Sequence, residues 1–134
     1  MEFANNYEEL SSLVNDDVKF AKSAEQFLEI VNSQDLPPYL EESVALFKRA
    51  TVEELKNFSE TLEFKEGMLG HANYEILAKY LEGNENMKIW EIFGIGNGIA
   101  LDAVDYYCRL GGASEPNQCL PYVGLFCGSL VCQN

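Results

Sequence analysis

Residues 51–62, TVEELKNFSETL, carry the clearest helix signal in the chain, and the fold can be worked out from them. Thr51 and Glu54 match the capping box, in which the threonine hydroxyl reaches forward to the backbone and the glutamate reaches back. Apolar residues then recur at three- and four-residue spacing on one helix face: Leu55, Phe58 and Leu62. This stretch predicts a short amphipathic helix that buries one face.

The residues before this stretch predict three more short helices. Asn5 or Asn6 caps a first turn, and Asn15 or Asp16 caps a second helix. The second helix presents an apolar face made of Phe20, Ala24, Phe27, Leu28 and Val31. A third helix begins around Pro38, because proline is well suited to the first helical position.

The residues after this stretch complete the predicted fold. Helical patterns run over about residues 72–81 and 99–110, and residues 86–93 are ambiguous between helix and strand. We therefore expect an all-α protein with five to six short helices between about residues 7 and 110. A cysteine-rich tail follows, which is predicted to be non-helical or a hairpin.

Charge and cysteine are distributed unevenly along the 134 residues. The net charge is −13, but residues 1–112 hold 21 of the 22 acidic side chains and all nine basic ones. Residues 113–134 hold Glu115 as their one charged side chain, together with three of the four cysteines. The sequence thus predicts two segments, an acidic helical domain over 1–112 and a cysteine-rich apolar tail over 113–134.

The acidic charge limits the partners that can be expected. Phosphate backbones and anionic membrane surfaces repel such a chain, so neither nucleic acid nor a membrane is predicted for the intact protein. A basic protein surface is the complementary partner. The first 30 residues carry seven acidic side chains, whereas a secretory signal needs a basic start and an apolar run. The predicted location is the cytoplasm.

Three features that carry chemistry in other proteins have a structural interpretation here. Residues 94–98, GIGNG, lack the context of a dinucleotide fingerprint and the Lys-Ser/Thr end of a P-loop, so they are predicted to form a turn. His71, the one histidine of the chain, is predicted to be a surface residue. Adjacent acidic residues fall in predicted first helix turns: Asp16-Asp17, Glu41-Glu42 and Glu53-Glu54. No catalytic residue, metal site or cofactor is predicted, and we do not expect an enzyme.

The cysteines follow the spacing Cys108-x10-Cys119-x7-Cys127-x4-Cys132. This spacing lacks the close pairs of zinc sites and the C-x-x-C of redox motifs. Buried free thiols, disulfides in one of three connectivities and chemical modification remain open. Three cysteines in the last 16 residues fit buried thiols poorly, because packing is weakest at chain ends.

The order of these segments resembles a known kind of precursor. An acidic helical part, then Leu110-Gly111-Gly112, then a nearly uncharged end rich in cysteine, serine and glycine is similar to precursors of ribosomally synthesised, post-translationally modified peptides. The resemblance implies a long leader, a released core, and Gly111 and Gly112 as the cleavage pair. Arg109 departs from the pattern, which usually has an apolar residue at that position.

The resemblance also implies roles for residues on both sides of the cleavage pair. Leu101, Asp105 and Tyr106 match leader positions that a processing protease recognises. The modifiable side chains are the cysteines and serines of the core: Cys119, Cys127, Cys132, Ser114 and Ser129. A modifying enzyme and a processing protease or transporter are the implied partners, and the mature peptide is secreted. Thioether rings, heterocycles and disulfides are equally open as products.

Two functions therefore remain open at the level of sequence. The first is the precursor just described. The second is a small acidic helical binding protein of the immunity, antitoxin or adaptor type, whose tail packs onto the helices and is never cleaved. The two hypotheses differ in whether residues 113–134 are accessible or belong to the folded core.

Overall fold

The computed structural model describes residues 3–14, 19–109 and 111–128, without the side chains of Val14 and Asp102. Within these ranges the chain forms seven α-helices, one 3₁₀ helix and four strands. The helices are α1 (Tyr7–Val14), α2 (Ala24–Asn32), α3 (Pro38–Phe47), α4 (Val52–Glu60), α5 (Glu75–Ala78), α6 (Glu85–Lys88) and α7 (Asn97–Ala103), with the 3₁₀ helix at Ile89–Phe93. The strands are β1 (Glu63–Lys65), β2 (Met68–Asn73), β3 (Val104–Arg109) and β4 (Gln118–Cys127).

Several predicted helix starts are confirmed by their hydrogen bonds. The Glu54 backbone N–H donates to the Thr51 hydroxyl over 3.1 Å, and the Thr51 N–H donates to the Glu54 carboxylate over 2.9 Å. The Glu9 N–H donates to the Asn6 side chain, and Pro38 opens α3. The cap predicted at residues 15 and 16 lies outside the described residues. The start predicted for this helix is nevertheless wrong, because residues 19–22 are not helical and α2 begins at Ala24 with Ser23 as its cap, so Phe20 lies before the helix.

The all-α prediction is wrong, because the chain contains a four-stranded antiparallel sheet with the strand order β1-β2-β4-β3. The first two strands form a hairpin between the helices predicted over residues 51–62 and 72–81, where no element was predicted. Glu66 and Gly67, the two residues between the strands, both have positive φ, as a two-residue hairpin turn requires. The first three residues of β2 are all buried, so this strand lacks the alternation that would have revealed it.

Two predicted helices are shorter than expected, because a strand occupies part of the predicted range in each case. The helix predicted over 72–81 is reduced to α5, because residues up to Asn73 belong to β2 and the chain turns at residues 79 and 80. The helix predicted over 99–110 ends at Ala103, and β3 begins at Val104. Valine and the two tyrosines of β3 favour strands, and pairing with β4 decides between the two structures. The ambiguous residues 86–93 are helical, in α6 and the 3₁₀ helix.

The core is a cluster of aromatic rings between the helices and the sheet. Trp90 lies at its centre, fully buried, with its ring centroid 4.5 Å from that of Phe126 on β4. Helices α2, α3 and α4 each contribute a ring to the cluster: Phe27, Phe47 and Phe58. The tail strand β4 is thus packed directly against the helices.

The turn predicted at residues 94–98 is confirmed only in its first part, because Gly94 ends the 3₁₀ helix with a φ of 84° and α7 begins at Asn97. The segment between them receives the N-terminal part of the chain. Ala4 forms a parallel bridge with Ile95, and the Gly96 N–H donates to the Ala4 carbonyl over 2.8 Å. A Cβ atom at Gly96 or Gly98 would lie within 3 Å of the backbone oxygen of Ala4 or Asn5. Close approach of two backbones therefore accounts for these glycines.

Candidate functional site

Those site residues predicted from sequence that the structure describes lie in and around the β3–β4 unit, whose pairing is interrupted by a register shift. Tyr106 pairs with Pro121, but Val104 pairs with Phe126. Two steps along β3 therefore correspond to five along β4, and the extra residues form a bend. Gly124 occupies this bend with a φ of 98°, a backbone conformation that favours glycine.

Asp105 holds the bend in place from the opposite strand. Its own φ is 67°, a left-handed conformation that aspartate tolerates better than most residues. Its carboxylate accepts hydrogen bonds from the Tyr74 hydroxyl at 2.5 Å and from the Gly124 N–H at 3.0 Å. Burial, together with the bond to Asp105, raises the pKa of Tyr74 to about 12. The carboxylate therefore serves the fold by joining β3, β4 and the residue before α5.

The three residues predicted as leader recognition positions do not share a helix. Leu101 lies on α7 with 64% of its surface exposed. Asp105 and Tyr106 lie on β3, where both are partly buried. On one helix, Leu101 and Asp105 would face the same side, as residues four apart do. The change to strand at Val104 removes that shared face.

The predicted cleavage pair lies in the connection between β3 and β4. The Gly111 N–H donates to the Asn117 side chain over 2.9 Å, and a Cβ atom at Gly111 would collide with the Glu115 carbonyl. Gly112 is exposed, and a Cβ atom added there meets nothing within 4 Å. Ser114, a predicted modification site, is exposed in the same connection. The fold requires glycine at position 111 but not at 112.

Two of the predicted modifiable cysteines lie side by side. The sulfur atoms of Cys119 and Cys127 are 3.0 Å apart, and both are free thiols. Cys119 is partly buried and Cys127 fully buried. Burial and the neighbouring Cys119 raise the pKa of the Cys127 thiol. Cys108 lies opposite Cys119 in the register of β3 and β4 but is not bonded to it, and it takes part in a disulfide. Ser129 and Cys132 lie outside the described residues.

A groove between α2 and α3 was not predicted from sequence. It has a volume of about 290 Å³. Its floor is apolar, with Phe20, Ile30 and Leu40, and its rim carries the exposed carboxylates of Glu29 and Asp35. Lys19 also lies on the rim and is exposed. The one local signal was Leu36-Pro37-Pro38, which ends α2 and begins α3, but the groove itself depends on how the two helices pack.

Glu29 lies in the last turn of α2, where the helix dipole disfavours a negative charge. The same turn holds no basic side chain. A cation in the groove would have the carboxylates of Glu29 and Asp35 and the carboxyl end of α2 nearby, with Lys19 as the opposing charge on the rim. The groove is therefore suited to a side chain that has an apolar stem and a positive head, which is the chemistry of lysine and arginine.

The structure shows no metal-binding cluster and no helix of membrane-spanning length in the parts of the chain that it describes. No group of three or more histidine, cysteine, aspartate or glutamate side chains is placed there to hold a metal ion. The longest helix described there, α3, has ten residues, whereas a membrane-spanning helix needs about 20. No family model, curated protein or solved structure matches this chain. Functional inference therefore rests on the geometry.

Proposed function

We propose that this protein acts as an intact acidic α/β binding protein that recognises a basic segment of a partner protein. The observation that carries the proposal is the position of β4, which lies between β2 and β3 and packs Phe126 against Trp90. Cleavage after Gly112 would separate this central strand from the rest of the chain. The geometry thus favours a tail that stays attached.

The charge of the molecule supports the choice of partner. Three of the described basic side chains form ion pairs with acids of the same chain: Arg49 with Glu85, Lys79 with Glu54 and Lys88 with Glu42. The net charge of −13 leaves many carboxylates for an external cation, and such an excess steers basic partners by long-range attraction. We place the contact at the α2–α3 groove, because it combines two carboxylates with an apolar floor. No catalysis is proposed, and the cytoplasm stays the predicted location.

Titration with defined peptides tests the groove. ¹⁵N-labelled full-length protein is titrated with short amidated peptides that carry arginine or lysine between leucines, and with matched glutamate peptides. We expect shifts of the groove amides with the basic peptides alone. The variant Glu29→Gln/Asp35→Asn should lose the response, whereas Glu60→Gln/Glu63→Gln, which removes the same charge from exposed positions outside the groove, should keep it. Equal loss in both variants would contradict a specific groove.

The mass of the protein in its native host tests whether the chain stays intact. A full-length mass is expected under every growth condition, lowered by no more than the two hydrogens that each disulfide removes. A fragment that begins at Ala113 would contradict the proposal and support a precursor.

A precursor role is the second candidate, and one observation favours it. Gly112 is exposed, and neither steric crowding nor a positive φ requires glycine there. A glycine that the fold does not need is available for recognition by a protease. Cleavage at this position would first give a nicked protein, because β4 remains paired on both sides until the sheet is opened.

A further inference from the structure

The two free thiols Cys119 and Cys127 meet although they lie at opposite ends of one strand. Eight residues of extended chain span about 26 Å, yet the two sulfur atoms are 3.0 Å apart. β4 must therefore fold back on itself between them. Gly124 provides the bend, and the Tyr74 N–H donates to its carbonyl over 2.8 Å.

This contact is close to the geometry of a covalent bond. A disulfide has a sulfur–sulfur distance of about 2.05 Å, so closure requires a movement of about 1 Å. The two thiols also differ in access. Cys119 is partly exposed, whereas Cys127 is fully buried and lies opposite His71 in the pairing with β2. An external reagent therefore reaches Cys119 first.

We propose that Cys119 and Cys127 form a dithiol site that is oxidised to an intramolecular disulfide by exchange with a disulfide reagent of the glutathione class. The Cys119 thiolate attacks one sulfur of the reagent, forms a mixed disulfide and releases the first thiolate of the reagent. Cys127 then loses its proton. Its thiolate attacks the Cys119 sulfur of the mixed disulfide and displaces the second thiolate of the reagent. Two protein thiols become one disulfide, and the reagent takes up the two electrons and leaves as two thiols.

The order of attack follows from burial. The high pKa of the Cys127 thiol, which results from its burial, keeps it protonated and makes it a poor first nucleophile. Once the mixed disulfide is on Cys119, proximity compensates for this low reactivity, because the second step occurs within one molecule. The site was not evident from the sequence, since a spacing of seven intervening residues matches no redox motif.

The bond would close the β4 bend and stabilise the protein. A disulfide that closes a loop of this length removes chain entropy from the unfolded state, and for a protein of this size the expected rise in Tm is about 10 °C. Reduction would lower the Tm again by the same amount, so the bend would be stabilised reversibly.

The experiment uses full-length protein equilibrated in buffers of oxidised and reduced glutathione, followed by alkylation of free thiols and peptide mapping. We expect the loss of two hydrogens, a cross-linked peptide that joins Cys119 to Cys127, and reversal by dithiothreitol. In Cys127→Ala the mixed disulfide should accumulate on Cys119, and in Cys119→Ala neither product should form.

Free alkylation of both thiols in fully oxidised wild-type protein would overturn the proposal, as would their pairing with other cysteines. Because the wild-type map alone decides between these outcomes, the test stands even if a variant does not fold. A rise in Tm on oxidation that persists in Cys119→Ala would also count against this pair as its cause.

Discussion

At the scale of single residues, Asp105 combines two features that rarely occur together in a strand. It has a left-handed backbone and a carboxylate that accepts two hydrogen bonds, and it lies within strand β3, at the register shift between Val104 and Tyr106. The backbone strain costs about 1–2 kcal/mol, and the charge-assisted bonds offset it. Sequence similarity to leader peptides predicted a recognition role for this residue, but the contacts observed are internal.

The hydrogen bond between Tyr74 and Asp105 predicts a specific loss of stability in alkaline solution. The pKa of Tyr74 is about 12 in the folded state against 10 for a free side chain, so the folded state holds this proton more tightly. The stability that this protonated hydroxyl contributes is complete below pH 10 and is lost as the pH rises from 10 to 12. Urea denaturation across this range should show a smaller loss for Tyr74→Phe than for the wild type. Tyr107→Phe, a partly buried tyrosine on β3, serves as control and should follow the wild type.

At the scale of elements, helix α4 shows which contacts a local sequence pattern predicts and which it does not. The capping box at its start was readable from four residues, since all its hydrogen bonds lie within that span. Glu54 also accepts from the Tyr80 hydroxyl over 2.6 Å and pairs with Lys79 over 2.8 Å. These two contacts join α4 to the residues after α5, and they could not be read from sequence.

The lowered pKa of the Glu54 carboxyl predicts a loss of stability in acid. Its ion pair with Lys79, the Thr51 N–H and the Tyr80 hydroxyl lower its pKa from 4.5 to about 2. A lowered pKa contributes stability that is complete above pH 4.5 and is lost as the pH falls towards 2. In Glu54→Gln the free energy of unfolding should depend less on pH in this window. Glu53→Gln, an exposed neighbour on the same helix, should behave like the wild type in denaturant titrations.

The bend in β4 predicts that two glycines respond differently to alanine. Gly124→Ala should lower the free energy of unfolding by about 1–2 kcal/mol, because alanine is strained at positive φ. The Glu75 side chain would also have to move to make room for the methyl group. Gly112→Ala should change it by less than about 0.5 kcal/mol, as exposed substitutions usually do. Urea denaturation of both variants measures the difference, and equal effects would contradict the bend as described.

At the scale of the whole molecule, the tail and the helices form one packed structure across the described ranges. β4 pairs with β2 on one side and with β3 on the other, and Phe126 lies against Trp90. The charge division between residues 1–112 and 113–134 is a true feature of the sequence, but it does not coincide with a division of the core. The lack of charge suits the end of β4, since Phe126 pairs with β2 and with β3 and its ring enters the core.

Removal of a single ring from the tail should therefore destabilise the whole protein. Phe126→Ala is expected to lower the free energy of unfolding by about 3–5 kcal/mol, the usual cost of deleting a buried aromatic side chain. Val123→Ala, in the same strand but 79% exposed, should change it by less than about 0.5 kcal/mol. Thermal and urea unfolding measure both. A small effect of Phe126→Ala would mean that the tail is dispensable and would favour the precursor function.

The sequence by itself determined the features that depend on neighbours within four residues or on sums over the chain. These are the caps at Asn6, Pro38 and Thr51, the buried face of α4 that holds Leu55 and Phe58, and the acidic charge with its break near residue 112. The tertiary structure alone decided the sheet, the β4 bend, the Cys119–Cys127 contact and the α2–α3 groove. Each of these joins segments that are distant in sequence or folds a strand back on itself. Helix and strand signals are nearly balanced in β2 and β3, so pairing with β4 settles them.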